Sequence, residues 1–313
     1  MQYRNLGNSG LKVSLVGLGC NNFAMKCDAE QTAAVVHRAL DEGVTLFDTA
    51  DIYGNRGGSE ELLGTALGNR RRDVVVASKF GMAMGEGPYL RGGSRRYIVA
   101  AAEASLRRLG TDYIDLYQIH APDSDTPQQE TLEALTDLVR AGKVRYVGCS
   151  NFAAWQVADA AWNSRAHGLA QYVSAQNQYN LLDRRVEREL VPACRHFGLG
   201  ILPYFPLASG FLTGKYRQGA EAPEGSRLAL MQRMADQVMT EENFATLERL
   251  ENFARSRERT ILELAIGWLA SQPLVSSVIA GATTAEQVSA NVKAGAWKLS
   301  APELEEVDKL TRR

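Results

Sequence analysis

The chain has 313 residues, 45% hydrophobic and 23% charged, with a formal net charge of −1. That is an ordinary globular composition with material for a large core, and nothing in its charge calls for nucleic acid or an anionic membrane as partner. No apolar stretch approaches the roughly 20 residues of a membrane span, and "MQYRNLGNSG" at the start has no apolar signal region, so a cytoplasmic location is expected.

The four cysteines (Cys20, Cys27, Cys149 and Cys194) form no CxxC pair and are too sparse for a disulfide scaffold, which reads as free thiols in a reducing compartment. The four histidines (His37, His120, His167 and His196) contain no HxH or HExxH, so no catalytic metal is expected.

Along the chain, "MQYRNLGNSGLKVS" reads as a short hairpin ahead of the first strand, placed to plug a barrel floor. Eight β-rich runs follow: "VSLVGLG", "GVTLFDTA", "DVVVASKF", "DYIDLYQIH", "KVRYVGCSN", "YVSAQNQY", "GLGILPYFPL" and "SSVIAGA", each succeeded by a helical stretch. Helix starts are marked by Asp28 with Gln31, Thr126-Pro127-Gln128-Gln129, Thr260 with Glu263, Thr284 with Gln287, and Ser300 with Glu303. Gly43 and Gly142 mark helix ends. Residues 206–240 exceed a normal connection, and so long a loop is more often functional than idle.

Strict alternation argues for a parallel sheet, and eight units suit a closed (β/α)₈ barrel, a TIM barrel, as one domain over 1–313. A doubly wound sheet is the main rival, but "VGLGCNN" lacks GxGxxG and no GxxxxGK[ST] occurs.

Barrel active sites sit at the C-terminal strand ends. Those ends deliver Asp48 and Tyr53, Lys79, His120, Ser150 and Asn151, Gln176, Tyr204, and Gly281. A lysine after "VVVAS" is costly to bury unpaired, and Asp48 on the neighbouring strand is its natural partner. Each residue alone has a plain structural reading: an ion pair, a packed tyrosine, a satisfied histidine. Together an acid, a phenol, an amine and an imidazole tune one proton. The ammonium is expected to lower the phenol from pKa ~10, giving a general acid for a carbonyl oxygen that gains charge as it accepts hydride. None of the four supplies hydride, so a cofactor must. Asp51 reads as structural, a helix or loop cap. Thr283, Gln287 and Asn291 share one face of a helix whose N-terminus offers donors to a phosphate, although a plain polar face looks the same.

These residues in this order resemble the aldo-keto reductase family. The matching segments are "FDTADIYGNRGGSEELLG", "VVVASKFG", "LYQIHAPD", "KVRYVGCSNF", "SAQNQYNLLDR", "LPYFPLASGFLTGKY" and "SVIAGATTAEQVSANV". The long seventh loop resembles most the branch that includes potassium-channel β subunits and many bacterial reductases. The resemblance implies NADPH (NADP+) binding without a Rossmann fold and reduction of a small-molecule aldehyde or ketone. It implies Tyr53 as proton donor with Asp48, Lys79 and His120. Ser150, Asn151 and Gln176 would hold the carboxamide, and Tyr204 would stack on the nicotinamide. Pro206, Leu207, Ala208, Gly210 and Lys215 would wrap the pyrophosphate. Gly281, Thr283, Gln287 and Asn291 would meet the adenosine end, helped by Lys215, Arg217 or Arg227 because no base lies between 281 and 291. Phe205 and Cys149 depart from the residues usual at their positions. Tyr53, His120, Met82, Tyr89, Trp155 and Phe205 are the expected substrate walls. The other reading the resemblance allows is a cofactor-sensing partner subunit with little turnover. Oligomeric state is not legible.

Overall fold

The computed structural model describes residues 1–311; Arg312 and Arg313, the end of the expected 1–313 unit, lie outside the described residues. An antiparallel hairpin, β1 (Tyr3–Asn5) and β2 (Lys12–Ser14), precedes the main sheet. Eight parallel strands follow: β3 (Val16–Gly19), β4 (Leu46–Asp48), β5 (Val75–Phe80), β6 (Ile114–Ile119), β7 (Val144–Ser150), β8 (Tyr172–Gln176), β9 (Gly200–Ile201) and β10 (Val278–Gly281). Each pairs with its sequence neighbour, and β10 returns to pair with β3. The sheet closes between β9 and β10, where Ile201 N–H donates to Leu274 O (2.8 Å), Ser276 N–H to Ile201 O (3.0 Å) and Ile279 N–H to Pro203 O (3.1 Å). The expected eight-stranded barrel is the fold.

The helices between strands are α1 (Ala29–Asp41), α2 (Tyr53–Leu67), α3 (Arg95–Leu109), α4 (Gln128–Arg140), α5 (Ala154–His167) and α6 (Leu190–Phe197). The segment from β9 to β10 holds α7 (Arg227–Leu230), α8 (Gln232–Val238), α9 (Glu241–Arg255) and α10 (Ile261–Ala270). After β10 come α11 (Ala285–Ala294) and α12 (Ala301–Thr311). The long loop is therefore partly helical. Capping boxes form at Asp28–Gln31 and Thr260–Glu263, and Thr284 accepts from the Gln287 N–H. The Thr126 cap does not form. Its hydroxyl donates to Asp123 Oδ2 (2.7 Å), and the extended Pro127 stands at the helix start instead.

Side-chain parity explains how the barrel makes a site. Leu46, Val75, Ala77, Leu116, Leu202 and Ile279 pack with Leu6 and Val13 of the hairpin, so the hairpin closes the lower end of the interior. Strand side chains alternate, and two residues on from an inward position is inward again. Leu46 is followed by Asp48, Ala77 by Lys79, and Leu116 by Gln118 and His120. The apolar rows of the floor thus become polar as each strand exits. Odd-phase residues such as Phe47, Val76, Phe80, Tyr117 and Ile119 face the helices and join the larger core.

Candidate active site

Asp48 and Lys79 meet inside the barrel, with Lys79 Nζ 2.6 Å from Asp48 Oδ2 and 2.9 Å from Thr49 O. The Lys79 side chain is fully buried. Burial opposes its charge, but Asp48 and Tyr53 outweigh that, so its pKa is raised and it stays an ammonium. The second oxygen of Asp48 accepts from Gln176 Nε2 (2.8 Å) and Gln118 Nε2 (3.4 Å), so the carboxylate is held on both sides.

Tyr53 leaves this pair on a turn of unusual hand. Gly54, Asn55, Arg56 and Gly57 all have positive φ. A Cβ on Gly54 would lie 2.4 Å from Ser59 N, so only glycine fits there. The Ser59 hydroxyl locks the turn to Cys20 O (2.8 Å) and to the Thr49 hydroxyl (2.9 Å). The Tyr53 ring then sits 5.0 Å from Lys79 Nζ, and its hydroxyl faces His120 Nε2 at 3.5 Å. Burial raises the Tyr53 phenol above its ordinary value; Lys79 pulls it down and Asp48 pushes it up. The net direction corrects the expectation of a lowered phenol. Desolvation of the phenolate exceeds the attraction of an ammonium already neutralised by Asp48. His120 is pushed down to about 3 by burial and then by Lys79, so its imidazole is neutral at physiological pH.

A cavity of about 1160 Å³ opens on these groups and extends to the start of α11. Asp48, Tyr53 and His120 line one part of it, with Lys79 behind them. Ser150, Asn151, Gln176, Tyr204, Phe205, Pro206, Leu207, Gly210, Lys215, Arg227, Gly281, Thr283, Gln287 and Asn291 also line it. Ala208 is buried beneath the loop rather than on the wall. Met82, Tyr89 and Trp155 are not lining residues; they are exposed at 42%, 57% and 70%, and Tyr89 stacks under Arg96. Arg217 faces away and pairs with Glu251 (3.3 Å).

A family model described as the aldo/keto reductase family matches residues 15–312. The chain belongs to this family. It is similar to a probable voltage-gated potassium channel subunit beta of Arabidopsis thaliana, 39% identical over 94% of this chain and 91% of the relative. An L-glyceraldehyde 3-phosphate reductase of Escherichia coli is 35% identical over 98% of this chain and 92% of its own. A versiconal hemiacetal acetate reductase of Aspergillus parasiticus is 33% identical over 97% and 95%. As an aldo-keto reductase, the chain is an NAD(P)-dependent oxidoreductase.

The residues present fit such a coenzyme. Lys26, Lys215 and Arg227 converge on the cavity, and Lys26 is pushed down by burial and then by its two cationic neighbours. Among the described residues, Arg227 bonds the Asn22 side chain (3.3 Å) and lies over the Phe205 ring, and Lys215 lies over Tyr216. Cations left facing one another around a cavity suit phosphate groups. Asn151, at φ 62°, accepts from the Tyr204 hydroxyl (2.7 Å) and donates to Ser150 Oγ (3.1 Å), which presents a polar face on that wall. Gln176 Nε2 donates to Asp48, and the residue lines the same cavity. Gln287 Oε1 accepts from Thr283 N–H (2.8 Å). Sequence reasoning missed Asn21, Asn22 and Lys26, which line the cavity after β3. The "CNN" at the end of the first barrel strand carries no charge to mark it, and Lys26 lies beyond the strand end.

Proposed function

We propose that this aldo-keto reductase reduces an aldehyde or ketone to an alcohol with NADPH, and that Tyr53, Lys79, Asp48 and His120 carry the proton chemistry. The observation behind this is the Tyr53 hydroxyl on the cavity wall, backed by a buried Lys79–Asp48 pair and 3.5 Å from a neutral histidine. Bound NADPH supplies hydride to the carbonyl carbon. Everything else comes from the chain. Tyr53 Oη gives its proton to the carbonyl oxygen as negative charge develops there. The resulting phenolate faces the Lys79 ammonium, whose charge Asp48 maintains. The raised phenol of the resting site keeps its proton until an acceptor of rising basicity arrives. Neutral His120, with its proton on Nε2, donates to the substrate carbonyl oxygen and so orients it without adding a competing positive charge. Ser150, Asn151 and Gln176 would hold the carboxamide, Tyr204 would support the nicotinamide face, and Lys215 and Arg227 would receive phosphate groups. Phe205, on the same wall, contributes to the substrate pocket.

Preference for NADPH rests on the basic cluster, since α11 itself brings no base between 281 and 291. Fluorescence titration with NADPH and NADH, followed by steady-state turnover with small aldehydes, tests the reading. Tighter NADPH binding and sustained turnover support it; binding without turnover supports the second reading, a cofactor-sensing partner subunit. That second reading draws on the relative whose name describes a probable channel β subunit.

A further inference from the structure

Behind the tetrad of Asp48, Tyr53, Lys79 and His120 lies a second cluster that the reductase chemistry does not use. Asp51 is buried, its N–H donates to Lys79 O (3.1 Å), and its Oδ1 has no partner. Its Oδ2 lies 3.2 Å from the Tyr97 hydroxyl. The same hydroxyl lies 3.3 Å from Met82 O, in the loop 81–93 that leaves β5. A phenol has one hydrogen, yet both neighbours are acceptors when Asp51 is ionised. The hydrogen then goes to the carboxylate, because charge-assisted bonds are the stronger, and Met82 O loses its donor. A protonated Asp51 reverses this: its own O–H donates to Tyr97, and Tyr97 donates to Met82 O.

We propose that Asp51 and Tyr97 are positioning residues that tether the loop 81–93 through Met82 O, and that the tether holds only while Asp51 carries a proton. The loop starts beside the end of β6, where a Cβ on Gly81 would lie 3.8 Å from the backbone N of His120. Its far foot is fastened separately. Gly93 N–H donates to Asp123 Oδ2 (2.6 Å), and the Thr131 hydroxyl donates to Gly93 O (2.8 Å). Gly92 N–H also donates to Gly81 O (2.9 Å) and Met84 N–H to Leu90 O (2.9 Å), so the contact at Met82 O is the part of the near foot that depends on the proton.

The charges around Asp51 place the change in the neutral range. Burial and then the Glu60 carboxylate on α2 push it up to about 7, while the Tyr97 bond and Arg108 of α3 pull it down. Glu60 is itself held by Arg108 Nε (2.8 Å) and by the Ser78 hydroxyl of β5. Tyr117 of β6 completes the surround; burial and then Asp51 push its phenol well up, so it stays neutral.

Amide hydrogen exchange of residues 81–93 in the resting, coenzyme-free protein, corrected for intrinsic exchange, tests this from pH 5.5 to 8.5. Protection should fall roughly fivefold as pH rises through about 7, the worth of one net hydrogen bond. Asp51→Asn has an N–H₂ that donates to Tyr97 at every pH, so its loop should stay protected throughout. Tyr97→Phe should be weakly protected throughout. A wild-type profile that is flat, or an Asp51→Asn profile that keeps the inflection, overturns the tether. If Asp51→Asn fails to fold, the wild-type and Tyr97→Phe profiles still decide. No coenzyme or substrate enters the measurement, so its failure leaves the reductase reading intact.

Discussion

At the scale of single residues, the site depends on burying charges that are paired and excluding those that are not. Lys79 is buried against Asp48, and both have further partners. Breaking such a pair from one side leaves an uncompensated charge. Lys79→Met should therefore lower stability by roughly 3–5 kcal/mol in urea unfolding, as well as abolishing reduction. Lys79→Met with Asp48→Leu should recover much of the stability and none of the activity. Asp51 differs, because its second oxygen is orphaned. Its folded pKa is raised to about 7, so the folded state binds the extra proton, and this stability is lost as pH rises from the ordinary carboxylate range through about 7. Asp51→Asn should match wild type near pH 4 and exceed it above pH 7 by roughly 1–3 kcal/mol. His120, pushed down to about 3, acts oppositely: it favours folding above its ordinary range and loses that contribution as pH falls. Melting curves of wild type and Asp51→Asn across this range read the difference directly.

At the scale of elements, the strands were legible and their polar ends named most of the site. Asp48, Lys79 and His120 could be found because each terminates an apolar run whose parity points inward. The hairpin was legible from its place before the first strand, and its role as a plug follows from Leu6 and Val13 packing with the inward row. What failed depended on tertiary contacts that spacing cannot show. Thr126 looked like a cap, but Asp123 took its hydroxyl. Met82, Tyr89 and Trp155 were expected as walls because pocket walls in barrels come from loops; they stand exposed, outside the cavity lining. The direction of the Tyr53 shift was missed because a pairwise attraction is visible in a sequence and desolvation is not. The loop after β9 carries the coenzyme prediction. Lys215→Ala and Arg227→Ala should each weaken NADPH binding by about 1.5–3 kcal/mol if the contact is charge-assisted. A variant that weakens NADPH more than NADH marks the group on the 2′-phosphate, and equal weakening marks the pyrophosphate. Added salt should act in the same order.

At the scale of the whole molecule, closure of the barrel makes convergence possible. Arg4 of β1 ties the plug to the closing segment through Val275 O (2.7 Å), Ala270 O (2.6 Å) and Gln272 O (3.3 Å). Arg4→Ala should lower stability by roughly 1.5–3 kcal/mol while leaving the turnover of folded molecules near normal, since the plug lies at the opposite end from the tetrad. The account as a whole rests on Tyr53 delivering the proton at the point where strands β4, β5 and β6 end. Single-turnover hydride transfer from NADPH to a small aldehyde, measured beside melting temperature on wild type and Tyr53→Phe, tests that most directly. The account predicts a loss of roughly 10²–10⁴-fold in Tyr53→Phe, with coenzyme binding and melting temperature close to wild type. Near-normal hydride transfer in Tyr53→Phe, or a loss fully explained by unfolding, would contradict it.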